Sequence, residues 1–202
     1  MVLGLIIERV ARQPFATFFA DWIFGLLGMH DTVVYRHGRD SVRQRAFGHS
    51  PVRGGFVVTD QSATSATQGD GGVYSNLEDL ARWDVALQWH TLLPAMAMRK
   101  ALMPVQLADG AQSRWADVPD TDNLAPGQTV SYGFGWFLDP YLGHDRMWHF
   151  GNSQGFSTSA MRFPADRLTV AVLCNRTDLD ARALAIGAAT PYLVANRSGP
   201  AS

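Results

Sequence analysis

The chain has 202 residues, 47% hydrophobic and 17% charged, enough to bury a sizeable core in one ordinary globular domain or most of one. A formal net charge of −1 offers no electrostatic pull toward nucleic acid or anionic membrane, and a single cysteine, Cys174, excludes an internal disulfide. Set in an apolar run, that thiol reads as a buried structural residue and leaves the compartment open.

The opening Met-Val-Leu-Gly-Leu-Ile-Ile has no basic n-region and is interrupted by Glu8 and Arg9, so it reads as neither a signal peptide nor a membrane span. Leu3, Ile6, Ile7 and Val10 fall at the three-four spacing of a helix with one buried face over Val2 to Ala11. Pro14 suits the first turn of a second helix, whose apolar set is Phe15, Phe18, Phe19, Trp22 and Ile23 and which Gly25 and Gly28 end. Tyr35 to Asp70 turns polar, with one short strand at Phe56 to Thr59, and reads as a long irregular excursion of the kind that walls a site. Ser75 to Trp89 reads as a helix opened by a capping box, Ser75-Asn-Leu-Glu78, and burying Leu77, Leu80, Ala81, Trp83 and Leu87. A short helix follows over Pro94 to Leu102. Asp109 to Gln128, with Pro119 and Pro126, reads as a mobile loop.

From Tyr132 to Asn175 the pattern changes to strands. Tyr132 to Leu138, Arg146 to Phe150, Phe156 to Phe163 and Leu168 to Cys174 are β-rich, separated by Asp139-Pro140 with Gly143, by Gly151 and Gly155, and by Pro164-Ala-Asp-Arg167. Short connections make these a four-stranded antiparallel meander, and with the flanking helices the fold class is α+β. Asp178 to Val194 closes the chain as a helix with acidic residues at its start and a kink expected at Pro191.

One turn of the meander carries a family resemblance. Trp148-His-Phe-Gly-Asn-Ser-Gln-Gly-Phe156 resembles the third conserved element of the serine β-lactamase and penicillin-binding-protein-like hydrolases: a Lys or His, any residue, then Gly, on a core strand. Leu3 to Val10, Gln13-Pro-Phe15, Ile23-Phe24 with Leu27-Gly-Met29 and Asp31-Thr32, Gly71 to Trp83, and Tyr132 to Trp136 also resemble family segments, in family order. The resemblance covers Leu3 to about Ala189. It implies a partial β-lactamase/transpeptidase-like fold: one domain over 1–202, incomplete, with a helical and loop region over 1–130 and a sheet and C-terminal helix over 131–197.

The family's chemistry needs a nucleophilic serine, a base to take its proton and donors for the oxyanion. By resemblance His149 faces the cleft, Gly151 lets an acyl group lie against the strand, and the Asn152 backbone N–H is one oxyanion donor. Taken alone, an aromatic-flanked histidine is usually a structural residue; with Gly151 and the resemblance, the cleft reading is favoured. The family's Ser-x-x-Lys is not found: the only lysine is Lys100, with Ala97 three residues before it. Tyr74-Ser75-Asn76 spells Tyr-x-Asn, but it follows the first helix and opens the next, where capping explains Ser75, Asn76 and Glu78 together. Gly151-Asn-Ser-Gln-Gly155 matches a nucleophile elbow, yet a strand rather than a helix follows it. His144 or His149 with Ser153 is retained as a less favoured alternative.

No histidine pair has metal-ligand spacing, and no phosphate loop or dinucleotide fingerprint occurs, so neither metal nor cofactor is expected. The expectation is the C-terminal part of a serine hydrolase of the esterase, peptidase or β-lactamase kind, inactive alone. The family implies a small ester, amide or peptide substrate, and exposed apolar surface would favour a homo-oligomer or a complementing N-terminal segment. The alternatives are a non-catalytic binding or scaffold protein of the same fold, or an active hydrolase using Ser153.

Overall fold

A computed structural model of the chain describes residues 2–60, 68–115 and 130–197. They belong to two compact units, one of Met1–Leu92, Gly151–Ser157 and Leu173–Leu179, the other of Leu93–Phe150, Thr158–Val172 and Asp180–Ser202.

In the first unit, helix α1 (Val2–Ala11) buries only part of the expected face. Leu3, Ile6 and Val10 are 69%, 50% and 78% exposed; of the expected set only Ile7 packs on the core, beside the buried Gly4. A Cβ there would meet the Gln68 carbonyl at 3.3 Å and the Phe15 ring at 3.6 Å, so the bare glycine sets the side on which the helix docks. Helix α2 (Phe15–Phe19) follows, with the Phe15 N–H donating to Glu8 Oε1 at 2.9 Å. It runs on through a π-helical turn, Ala20–Phe24, into α3 (Gly25–Leu27). Gly25 therefore does not end the helix. It sits against the Ala20 carbonyl, 2.9 Å from where its Cβ would be, while Gly28, at φ 67°, supplies the left-handed stop. Phe15, Phe24, Met29 and Val34 form this unit's core, with Ile7, Phe19 and Trp83 packed on it.

Strand β1 (Val33–Val34) pairs antiparallel with β4 (Val73–Tyr74). Between them the excursion is more ordered than its polarity suggests, because β2 (His49–Val52) and β3 (Gly55–Val58) form a hairpin. The His49 N–H points at two carbonyls, those of Asn175 at 3.0 Å and Gly155 at 3.1 Å. Helix α4 (Leu77–Gln88) begins one residue later than expected. Its cap is Asn76, whose side chain accepts from the Asp79 N–H at 2.8 Å. Ser75 instead hydrogen-bonds Thr32 at 2.8 Å, and Glu78 pairs with Arg82, so the capping box does not form. Leu77 and Ala81 face solvent, whereas Ala86 and the carboxylate of Asp79 are buried.

The second unit starts with α5 (Ala95–Ala101) and contains most of a six-stranded sheet in which every strand neighbours the next in the chain. Its strands are β5 (Arg114–Trp115), β6 (Val130–Tyr132), β7 (Phe137–Tyr141), β8 (His144–Ser153), β9 (Phe156–Phe163) and β10 (Leu168–Cys174). The pairs from β5 to β8 are antiparallel. Most of the expected Asp109 to Gln128 loop, including Pro119 and Pro126, lies outside the described residues.

Two boundaries differ from the sequence reading. Tyr132 to Leu138 is not one strand: Gly135 adopts φ 78° and the chain folds back between β6 and β7, with the Gly133 N–H donating to the Trp136 carbonyl at 2.8 Å. Asp139-Pro140, expected to break the chain, lies inside β7. The registered β6 pairs stop at Leu138, so Pro140 sits where no β6 partner needs its missing N–H. The turn falls instead at Leu142 and Gly143, with φ 51° and 76°.

Helix α6 (Ala181–Arg197) begins at Asp180, whose Oδ1 accepts from the Arg182 and Ala183 N–H groups at 2.9 and 3.2 Å. Asp178 is outside the helix, paired with Arg176. Helix α6 carries Pro191 within it and contributes Ala185, Ala189 and Leu193 to a core with Val130, Phe137, Trp148, Met161 and Phe163.

Candidate functional site

Strand β8 holds all three residues proposed from sequence. His149 and Gly151 are half-buried and Asn152 is exposed. The β7 register ends at Phe137↔Trp148, so β8 continues over His149–Ser153 past its last registered pair with that neighbour. The histidine is thus not at a strand end. It is the first residue of an overrun.

The environment of His149 is aromatic. Its ring lies 5.2 Å from Phe137, 6.0 Å from Phe150 and 6.1 Å from Tyr132. Nδ1 is 2.8 Å from the Phe150 carbonyl oxygen, which can only accept, so Nδ1 carries a proton. Nε2 is 3.1 Å from Tyr132 Oη. With Nδ1 protonated the neutral ring presents Nε2 as an acceptor, and the phenol donates to it. Burial lowers the His149 pKa from its ordinary value, partly offset by the carbonyl bond, and burial raises that of Tyr132. Both therefore favour their uncharged forms at neutral pH.

Tyr132 is the member of this group that sequence reading missed as a site residue. Its place depends on two registers at once, Tyr132↔Phe137 and Phe137↔Trp148, and no local spacing reveals that.

The other singled-out residues have local explanations. Tyr74 lies on β4, its hydroxyl accepting from Arg45 at 2.9 Å, with its ring edge-on to Tyr35 and Phe156. Burial raises its pKa, against the lowering effect of Arg45. Arg45 also pairs with Asp60. His144, at the far end of β8, pairs with Asp166 through Nδ1 at 2.8 Å. After the Gly151–Gly155 segment β9 follows as a strand, contrary to an elbow. Gly155 has a packing reason to be glycine: at φ 75° it lies against Gly48, and a Cβ would strike Gly48 and the Thr59 carbonyl.

Among the described residues no cluster of His, Cys, Asp and Glu could hold a metal ion, and no helix is long and apolar enough to cross a membrane.

The beta-lactamase family model matches residues 1–190. The chain is 28% identical over 193 residues to penicillin-binding protein 4* of Bacillus subtilis (strain 168), covering 88% of this chain and 38% of that protein. It is 22% identical over 196 residues to a D-aminopeptidase of Gluconobacter oxydans (strain 621H), covering 95% and 34%. This chain thus spans little more than a third of the length of these curated relatives. Among solved structures, the octameric penicillin-binding protein homologue from Pyrococcus abyssi superposes with a TM-score of 0.72 at 21% identity, covering 93% of this chain and 40% of that one. D-amino acid amidase from Ochrobactrum anthropi SV3 gives 0.72 at 19% identity, covering 96% and 56%. At these identities the solved structures speak for the fold, an α+β arrangement of antiparallel strands and helices.

Proposed function

This chain belongs to the beta-lactamase family, and we propose that it forms the sheet wall of a hydrolase site that transfers the acyl group of an amide or peptide. The observation that carries this reading is the β8 overrun. His149 stands where β8 leaves β7 behind, with Gly151 and Asn152 next along the same strand. An extended acyl substrate laid along such a segment meets little side chain at Gly151, and the Asn152 N–H supplies one oxyanion donor. The names of the relatives, an aminopeptidase and an amidase among them, favour amide and peptide bonds over esters.

The nucleophile is proposed to come from outside this sequence, since its one lysine, Lys100, has Ala97 at the Ser-x-x-Lys spacing. The chain alone should form no acyl-enzyme. Intact mass after incubation with a fluorophosphonate, and separately with a β-lactam, tests this. No adduct is expected. An adduct that Ser153→Ala removes would overturn the reading and make Ser153 a nucleophile. The exposed apolar face of α1 favours self-association or pairing with a complementing segment, in keeping with the octameric homologue.

A further inference from the structure

We propose that Tyr132 is the positioning residue of His149: its hydroxyl caps Nε2 and, with the Phe150 carbonyl on Nδ1, holds the imidazole as a fixed, neutral Nδ1–H tautomer. The inference rests on the reading of β8 as a site wall for its purpose, but not for its geometry.

Both ring nitrogens are engaged by the chain itself, Nδ1 at 2.8 Å and Nε2 at 3.1 Å. Hydrogen bonds at the two ends of an imidazole fix both its tautomer and its rotation, as second partners do for ligating histidines. The two anchors come from different places. The carbonyl belongs to the next residue of β8, whereas Tyr132 reaches in from β6, across the end of β7. Phe137 opens β7 and stacks on the imidazole while packing edge-on to the Tyr132 ring at 4.8 Å, so the pair is held laterally too.

Arg182 from α6 lies over the Phe150 ring at 4.7 Å. Strand β6 contributes Tyr132 and β7 contributes Phe137, neither ionised at neutral pH. A lysine at the position of His149 would present a free cation there. The phenol-capped imidazole presents no charge.

Two measurements on the full chain test this, and neither needs hydrolytic activity. Histidine 15N spectra at neutral pH should give His149 one tautomer, protonated at Nδ1, with Nε2 hydrogen-bonded. A charged ring, or two exchanging tautomers, would overturn the proposal. The second measurement is carbethoxylation of His149 by diethylpyrocarbonate, located by peptide mass with the other five histidines as internal standards. Tyr132→Phe keeps the ring and removes the cap, and should raise the His149 rate about five-fold, the ratio corresponding to one neutral hydrogen bond. An unchanged rate in a variant with an unchanged melting midpoint would overturn it. Should Tyr132→Phe fail to fold, the tautomer spectrum of the unaltered chain decides alone. Failure of the acyl-transfer reading would alter neither result, so the two failures are distinguishable.

Discussion

Asp139 and Arg146 form an ion pair across β7 and β8 in which both side chains are 0% exposed. The Arg146 Nε–H donates to Asp139 Oδ1 at 3.0 Å, and the Trp148 indole N–H donates to the same oxygen at 2.8 Å. Removing one member of a buried pair leaves an uncompensated charge, typically costing about 3–5 kcal/mol. Asp139→Ala should therefore lower the urea midpoint far more than a surface Asp109→Ala. Equal midpoints would mean that the pair is dispensable.

Asn76 is the cap of α4 and Glu78 is not part of a box. Asn76→Ala should cost about 1 kcal/mol in chemical denaturation, and Glu78→Ala well under half of that. The reverse order would restore the capping box read from sequence.

Gly155 and Gly48 are in backbone contact, and neither position has room for a methyl group. Gly155→Ala adds strain at a positive φ to that clash and should destabilise by more than about 2 kcal/mol, or prevent folding. Gln154→Ala, the exposed neighbour on the same turn, should leave the melting midpoint within a degree or two, as a surface change does. Thermal melts of both variants give the comparison.

His149 also makes a pH prediction. Burial depresses its folded pKa, while the unfolded ring titrates near an ordinary value of about 6.5. Below that value the unfolded chain binds the extra proton first, so stability falls as pH drops from about 6.5 toward the folded pKa. Above about 6.5 the contribution is fully present. Urea midpoints measured across this window should decline less steeply for His149→Phe than for the unaltered chain. Parallel declines would remove His149 as a contributor.

The outward apolar side of α1 should drive association. Leu3→Glu with Ile6→Glu should shift the chain toward its smallest species in sedimentation velocity, without loss of helix signal. An unchanged distribution would clear α1 of that role.

Much of the sheet was legible from residue type alone. Phe156 to Phe163 and Leu168 to Cys174 match β9 and β10 because their turns are marked locally, the second by Pro164 and by Arg167 at φ 52°. The errors arose where a local signal competed with register. Pro140 reads as a breaker until β6 is seen to end before it, and Gly133 to Gly135 reads as strand because aromatic residues alternate through it. The face of α1 was misread in part for a different reason: periodicity finds the apolar stripe, of which only Ile7 packs, while the close contact is made at Gly4. On the candidate site, the residues of β8 were named from a motif. Tyr132 was out of reach, since two strand registers bring it to His149.

The first unit takes its residues from three separate parts of the sequence, the last two being Gly151–Ser157 and Leu173–Leu179. No single cut can therefore release it as a continuous polypeptide. A stop codon introduced anywhere between Leu93 and Phe150 would remove pieces of both units at once. Expression trials that trim this chain from its C-terminal side should lose soluble product abruptly rather than in steps, with the first 92 residues left short of the strand ends that complete them.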